Sequence, residues 1–201
     1  MGVTDLGTNV YADFQSSWWQ RLAEWNREAL TSGFKTYALM NDPDHALELA
    51  VKAVENGFDT VELDEMISNY PLTEQRFVEI VSAARAVKPD AGFIITEWDR
   101  KAISQAFQWA SKNRNVVVAS SDYSDVTTLD YVAKLQELHG LKGIVWLIFI
   151  PDPAYNWRCT NEIGEWVAHA KELGITIFLW SINADGTWSS DWATVKSMIQ
   201  T

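Results

Sequence analysis

The sequence predicts an α/β fold of TIM-barrel type, built from parallel βα units, with six to seven strands and an amphipathic helix near the N-terminus. Two observations carry this expectation. Short apolar strand patterns begin at about residues 35, 60, 92, 116, 143 and 175, and an amphipathic helical run follows each. Each strand pattern closes on polar or acidic residues, and in parallel βα folds the chemistry collects at those carboxyl ends. The 201 residues hold no linker, low-complexity tract or break in composition, so a single domain over 1–201 is expected. That length is short of the ~250 residues that eight βα units usually take. A strand number below eight leaves sheet edges that want a cover, either the first helix or a second copy of the chain, which would make a homodimer.

The elements follow in order. Residues 2–10 form a weak strand pattern. Tyr11, Phe14, Trp18, Leu22, Trp25 and Ala29 then recur at three- and four-residue steps, one apolar stripe on a helix that Gly33 ends. Lys35–Met40 is a strand. Asp42-Pro43-Asp44 is a helix start, with a capping carboxylate and a proline at the first helical position, and that helix runs to about Glu55. Thr60–Glu65 is the next strand and 72–87 the next helix, burying Phe77, Ile80, Val81, Ala84 and Val87. Pro89 precedes the strand Gly92–Glu97. Helix 102–111, strand 116–120, helix 127–139, the strongly apolar strand 143–150, helix 162–173, strand 175–181 and helix 192–199 complete the chain.

Composition narrows the function classes. A net charge of −11 repels phosphates and so argues against nucleic acid or an anionic membrane surface as partner. Cys159 is the only cysteine, which rules out an internal disulfide and a cysteine metal cluster. Residues 1–10 show neither the basic start nor the apolar centre of a signal peptide, and the longest apolar run, Ile144–Ile150, is too short to span a bilayer. A soluble, cytoplasmic protein is expected, or a secreted one if a leader was removed. Eleven tryptophans are far more than core filling needs, and flat aromatic faces exposed to solvent commonly stack on sugar rings.

Strand alternation selects the candidate reacting groups. Val61 and Leu63 share one face of their strand, Glu62 and Asp64 the other. The apolar face should meet the helices, which turns both carboxylates inward, and an inward carboxylate is costly unless paired, hydrogen-bonded or bound to metal. Glu97 closes the next strand, with Arg100 and Lys101 close by as rival ion-pair partners. Two carboxylates in different surroundings can divide into a protonated acid and an ionised base or nucleophile, as glycoside hydrolysis requires. Asp64 and Glu97 are therefore the expected catalytic pair, with Glu62 tuning Asp64 from below. Trp98, Trp157 and Trp180 are candidate sugar platforms, and Asn183 a candidate hydrogen-bond donor to a hydroxyl. Asp122 and Asp152 stand at strand ends, where each reads first as a turn former or helix cap and second as a substrate ligand. Tyr155, Trp157 and Arg158 lie with Asp152 in one short loop suited to holding substrate. His45, His139 and His169 sit on helical stretches, away from the strand ends, so a histidine base or multi-histidine metal site is not expected. No phosphate-gripping glycine loop and no G-x-S-x-G turn occurs.

Two resemblances follow from these residues. Asn56-Gly57-Phe58-Asp59-Thr60-Val61-Glu62-Leu63-Asp64-Glu65, with Phe77-Val78-Glu79-Ile80 and Lys88-Pro89-Asp90 after it, resembles barrel glycoside hydrolases over about residues 33–185. The resemblance implies Asp64 as nucleophile or base, Glu97 as proton donor, a carbohydrate substrate and no cofactor. Gly57 to Asp64, together with Gly174-Ile175-Thr176 through Trp180-Ser181-Ile182-Asn183, is also similar to glycerophosphodiester phosphodiesterases. That similarity implies Glu62 and Asp64 as ligands of Mg2+ or Ca2+. The family's catalytic histidines are missing, since the first firm strand ends Leu39-Met40-Asn41 and no His-Asp pair follows Asp64. The expectation is thus a glycosidase, with a metal-dependent phosphodiesterase-like barrel or a non-catalytic sugar-binding module as alternatives.

Overall fold

A computed structural model describes residues 5–9, 16–122, 124–149 and 162–181; the side chains of 5–9, 16–19, 147–149 and 179–181 lie outside the description. The chain packs as two compact units, one of Met1–Thr96 with Lys112–Val117, the other of Glu97–Ser111 with Val118–Thr201.

In the first unit the order is β1 (Asp5–Asn9), α1 (Ser16–Thr31), β2 (Lys35–Met40), α2 (Ala46–Glu55), β3 (Thr60–Asp64), α3 (Glu74–Val87) and β4 (Gly92–Glu97), whose last residue already belongs to the second unit. The strands pair in parallel and in sequence order, with Asn9 beside Leu39, Leu39 beside Glu62 and Asp64 beside Thr96. Period-two alternation sorts the side chains. Ala38, Met40, Val61, Leu63, Phe93 and Ile95 share one face and are buried. Phe77 of α3 meets Phe93 edge-on at 6.4 Å between ring centroids, which identifies that face as the one under the helices. Each fully buried Leu, Ile, Met or Phe here contributes roughly 1.5–3 kcal/mol of hydrophobic stabilisation, so reversing the face of one strand would sacrifice several such terms.

Helix α2 begins later than its sequence suggests. Asp42 Oδ1 accepts from the backbone N–H groups of Asp44 and His45 at 3.0 and 3.2 Å, closing a turn, and the helix starts only at Ala46. Helix α3 starts where Thr73 caps it, its hydroxyl accepting from the Arg76 N–H at 3.2 Å.

The second unit runs α4 (Arg100–Ala110), β5 (Val116–Ser120, in this unit from Val118), α5 (Thr127–His139), β6 (Gly143–Phe149), α6 (Ile163–Leu173) and β7 (Thr176–Ser181). Strands β5, β6 and β7 pair in parallel in that order. Asp99 caps α4 by accepting from the Ala102 N–H at 3.0 Å. Helices α5 and α6 each stop at a left-handed glycine, Gly140 and Gly174, a backbone state that costs a side-chain-bearing residue about 1 kcal/mol. The second core is built from Ile103, Phe107, Val118, Leu129, Val132, Val145 and Trp166.

Both units thus repeat one scheme, a parallel strand followed by a helix, with sequential strand order. That is the TIM-barrel-like α/β class, with seven strands and the N-terminal amphipathic helix α1 among the described residues. No helix among them is long and apolar enough to cross a membrane.

Candidate functional site

The carboxyl end of β3 gathers the chemistry of the first unit. Glu62 and Asp64 point to the face opposite Val61 and Leu63, away from α3, as the alternation predicts. Glu62 is completely buried, while Asp64, two residues nearer the strand end, is only partly buried. The Thr96 hydroxyl, itself buried on the neighbouring strand, donates to Glu62 Oε1 at 2.6 Å. Glu62 Oε2 has no hydrogen-bond partner among the described residues. Burial pushes the Glu62 carboxyl up to about 8; the Thr96 hydrogen bond pulls the other way, and the Asp64 carboxylate adds to the rise. At neutral pH Glu62 is therefore mostly a neutral acid.

Immediately beyond Asp64 the backbone turns sharply. Glu65 adopts a left-handed conformation with φ 54°, strained for a residue with a side chain and worth on the order of 1–3 kcal/mol. Bonds at both ends hold it there: its N–H donates to the Thr96 carbonyl at 2.7 Å, its carbonyl accepts from the Asn69 N–H at 2.9 Å, and its carboxylate accepts from Asn69 Nδ2 at 2.7 Å. Thr96 thus clasps the end of β3 twice, through its carbonyl and through its hydroxyl. Neither Thr96 nor the strain at Glu65 is signalled in the sequence. Thr96 acquires its role only through the register that sets it beside Asp64, and Glu65 stands where a glycine or asparagine would have announced the turn.

Glu97 is completely buried, and its carbonyl accepts from the Ser121 N–H at 2.9 Å. It belongs to the second unit, and in the alternation along β4 it follows Phe93 and Ile95 rather than Thr96. Its expected rival partner, Arg100, is engaged with Asp122 at 3.1 Å and Asp125 at 3.8 Å. Trp98 is 47% exposed, placed between the end of β4 and the Asp99 cap, as a platform for a flat ligand requires.

Asp122, just past β5, is held by the protein itself. Its Oδ2 accepts from Arg100 Nε at 3.1 Å and from the buried Thr128 hydroxyl at 2.7 Å, and its Oδ1 accepts from the Ser124 N–H at 3.0 Å. Burial alone would raise its pKa, but the hydrogen bonds from Ser124, Thr128 and Arg100 outweigh it and hold the carboxyl below its ordinary value. The Arg100 guanidinium also lies over the Tyr131 ring at 5.5 Å, and the Tyr131 hydroxyl donates to the Arg100 carbonyl at 2.6 Å. This cluster ties α4 to the start of α5. Asp152, Tyr155, Trp157, Arg158 and Asn183 lie outside the described residues, as do Cys159 and the closing helix; of Trp180 only the backbone, in β7, is described.

His139 and His169 stay on helices and His45 sits in the turn before α2: His45 pairs with Asp42 at 2.8 Å, His139 stacks on Phe107 at 6.0 Å, and His169 meets Asp130 at 3.1 Å. Among the described residues no three His, Cys, Asp or Glu side chains cluster to hold a metal ion. Glu62 and Asp64 are two carboxylates on one strand face, and one Glu62 oxygen is already bonded to Thr96.

The class that fold and geometry define is a TIM-barrel-like α/β protein with a carboxylate pair at a strand end. No family model matches the sequence, and no curated protein matches it. Solved structures do. An endoglucanase aligns with a TM-score of 0.69 and 11% identity, covering 98% of this chain and 85% of its own. Cel5A of Thermotoga maritima, solved with mannotriose, aligns with a TM-score of 0.66 and 11% identity, covering 98% and 85%. The carboxyl transferase domain of pyruvate carboxylase from Rhizobium etli, solved with pyruvate, aligns with a TM-score of 0.63 and 13% identity; 98% of this chain covers 37% of that one. Two unrelated chemistries stand on the matched scaffold, so the likeness is one of fold.

Proposed function

We propose that this chain acts on carbohydrate by hydrolysing a glycosidic bond, with Asp64 as the carboxylate that meets the substrate and Glu62 as a neutral acid beneath it. The observation that supports the reading best is the contrast between the two side chains: one strand face carries a buried carboxyl held protonated and, next to it, one that reaches solvent. Two carboxyl groups held in different surroundings are what acid–base cleavage of an acetal needs. Trp98 supplies an exposed aromatic face at a strand end, and fold neighbours that are endoglucanases lend the scaffold a precedent.

The experiment is release of reducing ends from a panel of soluble β-glucans and mannans, by the wild-type protein and by D64N, E62Q and E97Q. Loss on the order of 10²–10⁴-fold in D64N is expected. E97Q measures separately whether Glu97 is the proton donor that the glycoside hydrolase resemblance implies. A turnover that D64N leaves intact would overturn the mechanism.

One observation favours a second reading. Of the three carboxylates named, Glu62 and Glu97 are fully buried, leaving Asp64 alone in contact with solvent. A sugar-binding module with no turnover fits that arrangement, and would bind oligosaccharides equally well before and after D64N.

A further inference from the structure

We propose that Thr96 is a positioning residue for the β3 carboxylates: its hydroxyl fixes Glu62 Oε1 as the acceptor oxygen, so that the acidic proton resides on Oε2 and is presented along the strand face towards Asp64. The inference rests on the reading of these two carboxylates as the working groups and adds the device that orients them.

The geometry carries it. A protonated carboxyl has one carbonyl oxygen and one hydroxyl oxygen, and they are not equivalent in a fixed environment. The Thr96 hydroxyl sits 2.6 Å from Oε1, a short and well-formed O–H···O bond, and it needs an acceptor there. With the Thr96 hydroxyl donating, Oε1 is the carbonyl and Oε2 the hydroxyl oxygen. Oε2 is buried and has no partner among the described residues, an arrangement that is costly unless the group has something to serve. Along a strand, side chains two residues apart lie on one face about 6–7 Å apart, so Asp64 and Thr60 are the polar neighbours of Glu62 on its own strand, and Asp64 is the ionisable one.

The backbone of Thr96 is fixed in place. The residue is buried, it lies beside Asp64 in the β3–β4 register, and its own carbonyl is tied to the Glu65 N–H at 2.7 Å. Among the residues whose side chains are described, the other ionisable groups that alternation puts on this face of β2 and β4 are Tyr37 and Lys35 of β2; β4 places Gly92, Ile94 and Thr96 there, none of them ionisable, and the register puts Asp5 of β1 beside Lys35. Valine matches threonine in shape but cannot donate, whereas serine can, so the hydroxyl's role separates cleanly from side-chain volume.

The test is the infrared carbonyl band of protonated Glu62, assigned by its loss in E62Q, followed from pH 5 to 10 in the wild type, T96V and T96S. In the wild type the band persists at pH 7. In T96V it moves to higher frequency, because the carbonyl loses its donor, and its disappearance on titration moves up by about one pH unit, because that bond favours the ionised form. T96S restores both. An unchanged band in T96V, or a T96S band that tracks T96V, overturns the proposal, and so does a wild type with no Glu62 band at pH 7. Circular dichroism on each variant separates these outcomes from loss of fold. Polysaccharide turnover on the same proteins separates the two ideas: a band that responds as stated in a protein with no turnover overturns the glycosidase reading and leaves Thr96's role intact.

Discussion

Replacing Glu62 by glutamine should stabilise the protein, and by an amount that grows with pH. The folded state holds the Glu62 proton up to about pH 8, whereas the unfolded chain releases it near the ordinary value of 4.5. Between those values the folded state binds one more proton than the unfolded state, so stability falls as pH rises through the window, by about 1.4 kcal/mol per pH unit. Across the full window this amounts to about 5 kcal/mol, a ceiling that relaxation around the ionised carboxylate trims. Glutamine has no proton to lose and still offers an oxygen to the Thr96 hydroxyl. Urea unfolding followed by tryptophan fluorescence at pH 5, 6.5 and 8 should therefore show E62Q close to wild type at pH 5 and progressively more stable above it. A wild-type–E62Q difference that stays constant across the three pH values would refute the reasoning, because it would mean that Glu62 is ionised like any surface glutamate.

Further predictions concern the supports around the candidate site. D122A should cost about 2–3 kcal/mol in urea unfolding at pH 7, since it leaves the buried Thr128 hydroxyl and the Arg100 guanidinium without their shared acceptor. D99A should cost about 1 kcal/mol through loss of the α4 cap, with little change in the circular dichroism of the folded protein. G143A should lower the melting temperature, because a Cβ there would stand 2.6 Å from Val132 Cγ1 and 3.0 Å from Phe107 Cζ; overpacking of this kind costs roughly 1–3 kcal/mol.

The features legible in the sequence are those that local periodicity encodes. Val61 and Leu63 against Glu62 and Asp64 is a period-two pattern within a single strand, and it sorts the side under the helices from the side that carries the carboxylates, although Glu62 is as buried as its apolar neighbours. Gly140 and Gly174 mark helix ends because only glycine takes their conformation without cost. What was illegible depends on partners distant in the chain. Asp42 reads as a helix cap, yet it first closes a turn, and only three-dimensional packing decides where α2 begins. Arg100 stands close to Glu97 in sequence, but its guanidinium reaches Asp122, 22 residues on. Thr96 is one threonine among many until the β3–β4 register places its hydroxyl on Glu62, 34 residues back.

The most direct test of the account is a carboxyl 13C titration of Glu62 and Asp64, with and without a β-glucan or mannan oligosaccharide. The account predicts that Glu62 is protonated at pH 7 with a midpoint near 8, and that sugar shifts the resonances of both residues. A Glu62 already ionised at pH 7, or a pair of resonances that no oligosaccharide moves, would contradict it.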